Sequence, residues 1–242
     1  MEPVIVCAAT RQEISLLVRS IGALETRGRG GRETYRGAVG EQEVVLAIAG
    51  IGKVNTASAL TALLESFTPP LVINVGCGGA FAGSGLQVGD LAIASAEVYG
   101  DEGVQTSAGW EPLDLIGIPS LERKGLRYFN EFPLAKLPAE RAIQLAAALG
   151  ISARRGRFVT VSTCSGTSAR GEELLRRFDP LCENMEGAAA AHVSLLYDVD
   201  CLEVRGISNM VEDRDLSRWN IPLAVEKAQR FILKFLETYH EQ

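Results

Sequence analysis

The chain has 242 residues, of which 47% are hydrophobic, and this composition supports one sizeable core and excludes a disordered protein. Acidic residues outnumber basic ones by 30 to 24, and the net charge of −6 argues against nucleic acid or an anionic membrane as a partner. No apolar stretch approaches the roughly 20 residues that span a bilayer, and the first residues do not resemble a signal peptide.

Short apolar runs alternate with amphipathic segments along the chain. The apolar runs predict strands at Val4–Ala8, Thr34–Val39, Glu43–Ala49, Leu71–Val75, Leu91–Ala96, Arg157–Ser162 and Cys201–Ile207. The amphipathic segments predict helices at Gln12–Ile21, Lys53–Phe67, Ala139–Leu149, Ser168–Phe178, Gly187–Tyr197 and Pro222–Tyr239, the first of them capped by Thr10. No break in composition divides the chain, so the pattern predicts one layered α/β domain over residues 1–242 with a largely parallel or mixed sheet.

Two stretches do not fit this alternation. The segment at about 99–136 is rich in prolines and aromatic residues that follow no clean period: Trp110, Pro112, Pro119, Tyr128, Phe129, Phe132 and Pro133, with Pro138 close behind. A long irregular stretch inside a compact domain is usually a functional loop, so this segment is expected to form a cap. Gly28–Arg32 is expected to form the polar tip of a turn.

The cysteines show no metal-binding or disulfide pattern. They are odd in number and contain no CxxC pair: Cys7, Cys77, Cys164, Cys182 and Cys201. Without a secretion signal, this usage indicates reduced thiols in a cytoplasmic protein. The chain has only two histidines, His192 and His240, which offer few ligands for a zinc site.

Two glycine-rich turns resemble nucleotide-binding motifs but lack an essential residue. In Gly50-Ile51-Gly52-Lys53, the following Val54 stands where a Walker motif needs Ser or Thr. In Gly76–Phe81, Phe81 stands where a dinucleotide fingerprint has its last glycine. Both are interpreted as tight strand-to-helix turns that approach a ligand closely.

Cys164 and the arginines near residue 30 leave alternatives open. Thr163-Cys164-Ser165-Gly166 is not a nucleophile elbow, because Thr163 replaces the first glycine. A dyad of Cys164 with His192 stays open, although a lone buried cysteine is usually inert. The cluster Arg27, Arg29 and Arg32 permits RNA contacts, but an exposed hairpin tip is favoured in an acidic chain.

The sheets of α/β proteins bind ligands at the carboxyl ends of their strands. Three polar clusters of this sequence lie next to predicted strands or helices, where they could reach such a site. They are Glu13, Asn184-Met185-Glu186-Gly187 and Arg205–Asn209. Each has a structural explanation when taken singly. Glu13 and Glu186 are acids in the first turn of a helix, which the helix dipole favours, and Asn209 is a common turn residue.

Taken together, the clusters resemble the nucleoside phosphorylase and nucleosidase superfamily over nearly the whole chain. The sequence is similar to 5′-methylthioadenosine/S-adenosylhomocysteine nucleosidases, in order and spacing, at Ala8–Leu17, Gly50–Val54, Asn74–Gly79, Leu86–Asp90, Met185–Ala188, His192-Val193 and Arg205–Asn209. The resemblance implies a three-layer α/β/α sandwich with a central mixed sheet, and a small-molecule nucleoside substrate without metal or organic cofactor. It also implies a homodimer or larger homo-oligomer. The interface is expected at the irregular segment, because its aromatic residues Trp110, Phe129 and Phe132 are costly to expose.

Two departures from the family pattern narrow the expected reaction. Adenine-cleaving members have an aspartate where this chain has Asn209, and an amide can donate to a 6-keto oxygen while its own oxygen accepts from N7–H. Asn209 therefore favours hypoxanthine or guanine over adenine. The phosphorylases carry a phosphate-binding arginine where this chain has Asn74, which favours water as the nucleophile.

A nucleosidase for 6-oxopurines that uses water resembles the futalosine hydrolase branch. Four stretches match that branch: Tyr99–Gly103, Asn184–His192, Ile207–Asn209 and Trp219-Asn220. The match implies release of hypoxanthine from futalosine in menaquinone biosynthesis. Futalosine carries a carboxyphenyl-ketone chain on C5′, and Arg123, Lys124 and Arg127 are candidates to meet its carboxylate.

The resemblance also implies roles for individual residues. Glu13 would deprotonate the attacking water, Glu186 would bind the ribose hydroxyls and Asn209 would stabilise the leaving base. Further residues are expected around the substrate: Ile51, Cys77 and Gly78 on the pocket wall, Cys164 and Ser165 beside the purine, Met185 against the sugar, and Arg205 orienting the acids. The alternatives are a purine nucleoside phosphorylase, an adenine-type nucleosidase, and a catalytically silent nucleoside-binding protein. The presence of both Glu13 and Glu186 counts against the last.

Overall fold

Residues 2–27 and 32–239 are described in the computed structural model, so the predicted turn tip at Gly28–Arg32 lies, apart from Arg32, outside them. The strands are β1 Val4–Ala8, β2 Leu24–Arg27, β3 Glu33–Val39, β4 Gln42–Ile48, β5 Val72–Ala80, β6 Leu91–Tyr99, β7 Val104–Thr106, β8 Gly109–Glu111, β9 Leu121–Arg123, β10 Leu126–Tyr128, β11 Glu131–Pro133, β12 Ala153–Thr160, β13 Cys182–Asn184 and β14 Cys201–Met210. The helices are α1 Ser15–Ser20, α2 Lys53–Leu64, α3 Lys136–Ala148, α4 Ser168–Phe178, α5 Gly187–Leu196 and α6 Ile221–Glu237. None of these helices has the length and apolarity needed to cross a membrane.

The main sheet is mixed and brings distant parts of the chain together. Its strands follow the order β11-β6-β12-β13-β5-β1-β4-β3-β2, and β14 pairs with both β5 and β6. Because β13 pairs with β5, the strands β5, β14, β6, β12 and β13 close a ring. The strands β1, β5 and β14 run parallel to one another, so their carboxyl ends meet at one edge of the sheet.

Helices cover both faces of the sheet, which confirms the predicted three-layer α/β/α sandwich. The side chains of β1 alternate between the two faces, as the pleat requires. Val4, Val6 and Ala8 pack in one cluster with α1, α3 and α6. Ile5 and Cys7 pack in the other cluster with α2 and α5.

The segment at about 99–136 has more regular structure than its sequence predicts. The strand pairs β7–β8 and β9–β10 form two small antiparallel ribbons, and β11 joins the edge of the main sheet. These strands have three residues each, too few for a hydrophobic period to show. Phe132 is fully buried, and Trp110 packs edge-on against Phe178. Both residues therefore pack within the chain, whereas the sequence predicted that they lie at an interface between chains.

Two boundaries near the site differ from the prediction. The strand β5 continues through Gly76–Gly79 to Ala80, whereas the apolar pattern ends at Val75. A side chain at Gly76 would lie 2.5 Å from the Glu13 carboxylate, so glycine permits a strand where two other elements approach closely. Helix α1 begins at Ser15, not at Gln12, and Thr10 does not cap it.

Candidate active site

A cavity of about 190 Å³ opens at the sheet edge where β1, β5 and β14 end. All of the predicted site residues except Arg205 line it: Glu13, Ile51, Cys77, Gly78, Cys164, Ser165, Met185, Glu186 and Asn209. Further lining residues that the sequence did not single out as part of the site include Gly79, Glu183, Ser208 and Trp219. The structure therefore assembles the three polar clusters of the sequence around one space.

The Glu13 carboxylate is held rigidly in the loop between β1 and α1. Its Oε2 atom accepts hydrogen bonds from the backbone N–H and the hydroxyl of Thr10, both at 2.9 Å. Its Oε1 atom accepts from the Cys77 N–H at 3.0 Å. Thr10 thus fixes Glu13 instead of capping the helix, and the hydrogen bonds hold the carboxylate in one position at the cavity.

The Glu186 carboxylate lies at the N-terminus of α5 and is held from two sides. Its Oε1 atom accepts from the Gly52 N–H at 2.9 Å, and its Oε2 atom accepts from Arg205 Nη1 at 3.2 Å. Gly50 and Gly52 have φ angles of 95° and 92°, which only glycine adopts readily. The glycine turn before α2 therefore presents its N–H to a side-chain carboxylate of the protein.

Arg205 lies behind the cavity and not in it. The side chain is buried, and its Nε atom donates to Glu203 Oε1 at 2.8 Å. Burial alone would lower the pKa of Arg205, but the neighbouring carboxylates of Glu203, Glu186 and Glu13 raise the pKa well above its usual value. Arg205 is thus a fixed positive charge that orients Glu186.

A second pair of carboxyl groups lies beneath Arg205 and was not recognised from the sequence. Glu97 and Glu203 are fully buried and hydrogen-bonded to each other. Thr160 and Asn184 donate to Glu97 at 2.8 and 2.5 Å. Burial and mutual repulsion raise the pKa of Glu97 well above its usual value, so the pair retains a proton. The sequence feature that could have indicated this pair is a single acidic residue within each of two apolar strands, Glu97 in β6 and Glu203 in β14.

A β-bulge positions Asn209. The pairing of β14 with β5 shifts register between Ile207 and Asn209, so that Asn209 lies opposite Gly79. Its Oδ1 atom accepts from the Ser208 hydroxyl at 2.8 Å, and its Nδ2 atom donates to the Met210 carbonyl at 2.9 Å. The amide therefore has one defined orientation in the cavity wall.

The cavity is acidic and its thiols are not activated. Three carboxylates line it, those of Glu13, Glu183 and Glu186, and no Lys or Arg lines it among the residues that the structure describes. Burial and nearby carboxylates raise the pKa of Cys77 to about 12, and burial also raises the pKa of Cys164. Such a site favours a species that gains positive charge during the reaction.

Several residues considered from the sequence lie elsewhere. His192 bonds Tyr99 at 3.2 Å, stacks on Phe132 and does not line the cavity, so the dyad with Cys164 is not formed. The three candidates for a substrate carboxylate are also outside the lining and have acidic partners. Arg123 and Lys124 pair with Asp198, and Arg127 pairs with Glu122. No described group of three or more His, Cys, Asp or Glu side chains has an arrangement that could hold a metal ion.

A sequence model of a protein family and individual relatives of known function both match this chain. The sequence model described as the phosphorylase superfamily matches residues 3–237. The chain is 32% identical over 206 residues to 5′-methylthioadenosine/S-adenosylhomocysteine nucleosidase of Halalkalibacterium halodurans, which covers 85% of the chain and 84% of that protein.

Two solved structures show the same fold at lower identity. The nucleosidase of the same name from Neisseria meningitidis, bound to methylthio-immucillin-A, has a TM-score of 0.85 at 23% identity and covers 98% of this chain and 100% of that one. Futalosine hydrolase of Helicobacter pylori has a TM-score of 0.82 at 21% identity, with 97% of each chain covered.

Proposed function

Because the chain belongs to the phosphorylase superfamily, we propose that it is a nucleosidase that hydrolyses the N-ribosidic bond of a 6-oxopurine nucleoside. The proposed substrate is futalosine, and the products are hypoxanthine and dehypoxanthine futalosine. This reaction is a step of menaquinone biosynthesis. The observation that carries this choice is Asn209, an amide of fixed orientation in the wall of an acidic cavity.

The orientation of the Asn209 amide supports a 6-oxopurine base. The Met210 carbonyl can only accept a hydrogen bond, so Nδ2 lies on that side and Oδ1 faces the hydroxyl of Ser208. One N–H of Nδ2 and one lone pair of Oδ1 remain available. They match the keto oxygen at C6 and the N7–H of the departing base.

The two carboxylates held by hydrogen bonds in the cavity, those of Glu13 and Glu186, support hydrolysis through an oxocarbenium-like transition state. Glu13 orients water on the ribose face opposite the base and takes its proton. Glu186 accepts hydrogen bonds from the ribose hydroxyls, which strengthen as positive charge grows on the ring. Arg205 and the Gly52 N–H hold Glu186 in place for this role.

The charges around the cavity favour water over inorganic phosphate. A phosphate dianion needs cationic partners, and the described lining offers three carboxylates and no Lys or Arg. Asn74, at the position of the expected phosphate-binding arginine, is buried and donates to Glu203 at 3.2 Å. It takes no part in the cavity.

A homo-oligomer is part of the proposal, with residues 113–118 at its interface. Leu115, Ile116 and Ile118 are 58%, 50% and 71% exposed and lie within four consecutive residues. Such a patch is costly to leave in water. The proposed interface is therefore this aliphatic patch, and not the aromatic residues Trp110, Phe129 and Phe132 on which the sequence-based expectation relied.

The second candidate is a 5′-methylthioadenosine/S-adenosylhomocysteine nucleosidase. It is favoured by relatives of that name that are 30–32% identical to this chain. The two candidates differ in the base, because adenine offers an amine at C6 and an unprotonated N1, whereas hypoxanthine offers a keto oxygen and N1–H.

One assay tests the proposal and its rivals. Base release is measured from futalosine, inosine and methylthioadenosine, each with and without phosphate. The proposal expects the highest kcat/KM for futalosine and no effect of phosphate. A preference for methylthioadenosine would establish the second candidate, and turnover that requires phosphate would establish a phosphorylase.

A further inference from the structure

The carboxylate of Glu183 lines the cavity, and neither the family resemblance nor the proposed mechanism gives it a role. Glu183 is in register with Gly79 through the pairing of β13 with β5. Asn209 is in register with the same glycine through the pairing of β14 with β5. Glu183 and Asn209 therefore lie on either side of Gly79, about 10 Å apart at their Cα atoms, which is two strand spacings.

The glycine between them leaves room for a flat ligand. Residues in register on neighbouring strands direct their side chains to the same face of the sheet. A side chain at Gly79 would approach Asn209 Nδ2 to 3.0 Å and would fill the gap. The wall thus has an amide on one side, a carboxylate on the other and backbone between them.

The Glu183 carboxylate is held in place and keeps free acceptor sites. Its oxygens accept the Ser165 N–H at 2.9 Å and the Ser165 hydroxyl at 2.5 Å. A carboxylate has about four lone-pair sites, so two of them remain. Burial raises the pKa of Glu183, while the two Ser165 donors favour the ionised form. Because Glu183 occupies the Ser165 N–H, this part of the wall presents an acceptor to the ligand, not a donor.

The bases differ at the atom next to C6. N1 carries a hydrogen in hypoxanthine and guanine, and a lone pair in adenine. We propose that Glu183 is a specificity-determining residue that accepts the N1–H of a 6-oxopurine while Asn209 serves O6 and N7. The inference rests on the proposed function, since it assigns the second half of the same base site. An adenine in this position would place the lone pair of N1 against the carboxylate, and a buried mismatch of this kind is strongly rejected.

The test is the variant Glu183→Gln with two substrates that differ only at N1, inosine and 1-methylinosine. The amide keeps the size of the side chain but replaces a charge-assisted hydrogen bond by a neutral one. We expect kcat/KM for inosine to fall about tenfold, the difference between charged and neutral hydrogen bonds, with no change for 1-methylinosine. Glu172→Gln is the matched control, because Glu172 lies on α4 with 70% of its side chain exposed.

Binding of the free bases provides a readout that does not depend on turnover. Calorimetry should give hypoxanthine a Kd about tenfold weaker in Glu183→Gln than in the wild type, with 1-methylhypoxanthine unchanged. Equal losses for both bases, with a melting temperature like that of the control, would overturn the role of Glu183 and leave the proposed function standing. Wild-type protein that cleaves adenine nucleosides and binds no hypoxanthine would instead overturn the proposed function.

Discussion

At the scale of single residues, the charge of Glu186 is the property on which the proposed mechanism depends. Glu186→Gln keeps the side-chain shape and an acceptor for the Gly52 N–H, but it removes the charge that a developing ribosyl cation requires. We expect kcat to fall below a tenth of the wild-type value while the melting temperature stays within a few degrees. A folded variant that retains more than a tenth of kcat would remove Glu186 from the mechanism.

In the proposed function, the choice of base depends on Asn209. In Asn209→Asp, the donor to the keto oxygen is lost and a negative charge faces both that oxygen and the Met210 carbonyl. An unpaired buried acceptor costs roughly 1–3 kcal/mol, or about 10- to 100-fold in rate. The ratio of kcat/KM for 6-oxo and 6-amino substrates with the same 5′ group should fall by that factor. An unchanged ratio would show that Asn209 does not distinguish the bases.

The Glu97–Glu203 pair makes stability depend on pH. Burial raises the pKa of both carboxyl groups, so the native state keeps a proton that the unfolded chain releases above about pH 4.5. The free energy of unfolding therefore falls as the pH rises from there through the raised pKa, by at most about 1.4 kcal/mol per unit for one proton.

The variant Glu203→Gln isolates this effect. Its amide can donate to Glu97 at every pH, while its oxygen still accepts from Asn74 and Arg205. Urea unfolding between pH 5 and about 8 should give a flatter pH profile than in the wild type. Glu203→Ala, which removes both functions, should be less stable throughout. A slope in Glu203→Gln equal to that of the wild type would show that the pair does not share a proton.

At the scale of elements, glycines set the distance between the sheet and its helices. A side chain at Gly206 on β14 would lie 2.0 Å from the Ala224 carbonyl on α6. Gly206→Ala should therefore lower the free energy of unfolding by about 1–3 kcal/mol, the usual cost of overpacking. Gly166→Ala is the control, since its side chain would meet open space. Equal urea midpoints for the two variants would contradict this account of the contact between β14 and α6.

At the scale of the whole molecule, the exposed patch at Leu115, Ile116 and Ile118 predicts association of identical chains. Light scattering at assay concentration should give at least a dimer for the wild type. Ile118→Asp should shift the mass towards a monomer and lower kcat/KM. Leu149→Asp provides a control at an exposed leucine outside the patch, directly after α3. A wild-type monomer with full activity would refute the oligomer.

The sequence by itself predicted the six helices, the seven strands β1, β3, β4, β5, β6, β12 and β14, and the candidates Glu13, Glu186 and Asn209. Hydrophobic periodicity is local, and polar residues that follow apolar runs are visible without knowledge of the fold. It also indicated the family, because an ordered set of short motifs is specific where each motif alone is weak.

Only the tertiary structure decided which of these residues act together. The strands β13 and β14 lie on either side of β5, so Glu183 and Asn209 flank Gly79 although they lie on separate segments of the sequence. The Glu97–Glu203 pair likewise exists because β6 and β14 are neighbours in the sheet. Strand pairing between distant segments leaves no local period in the sequence, so these contacts, on which the proposed base specificity rests, could be found only in the fold.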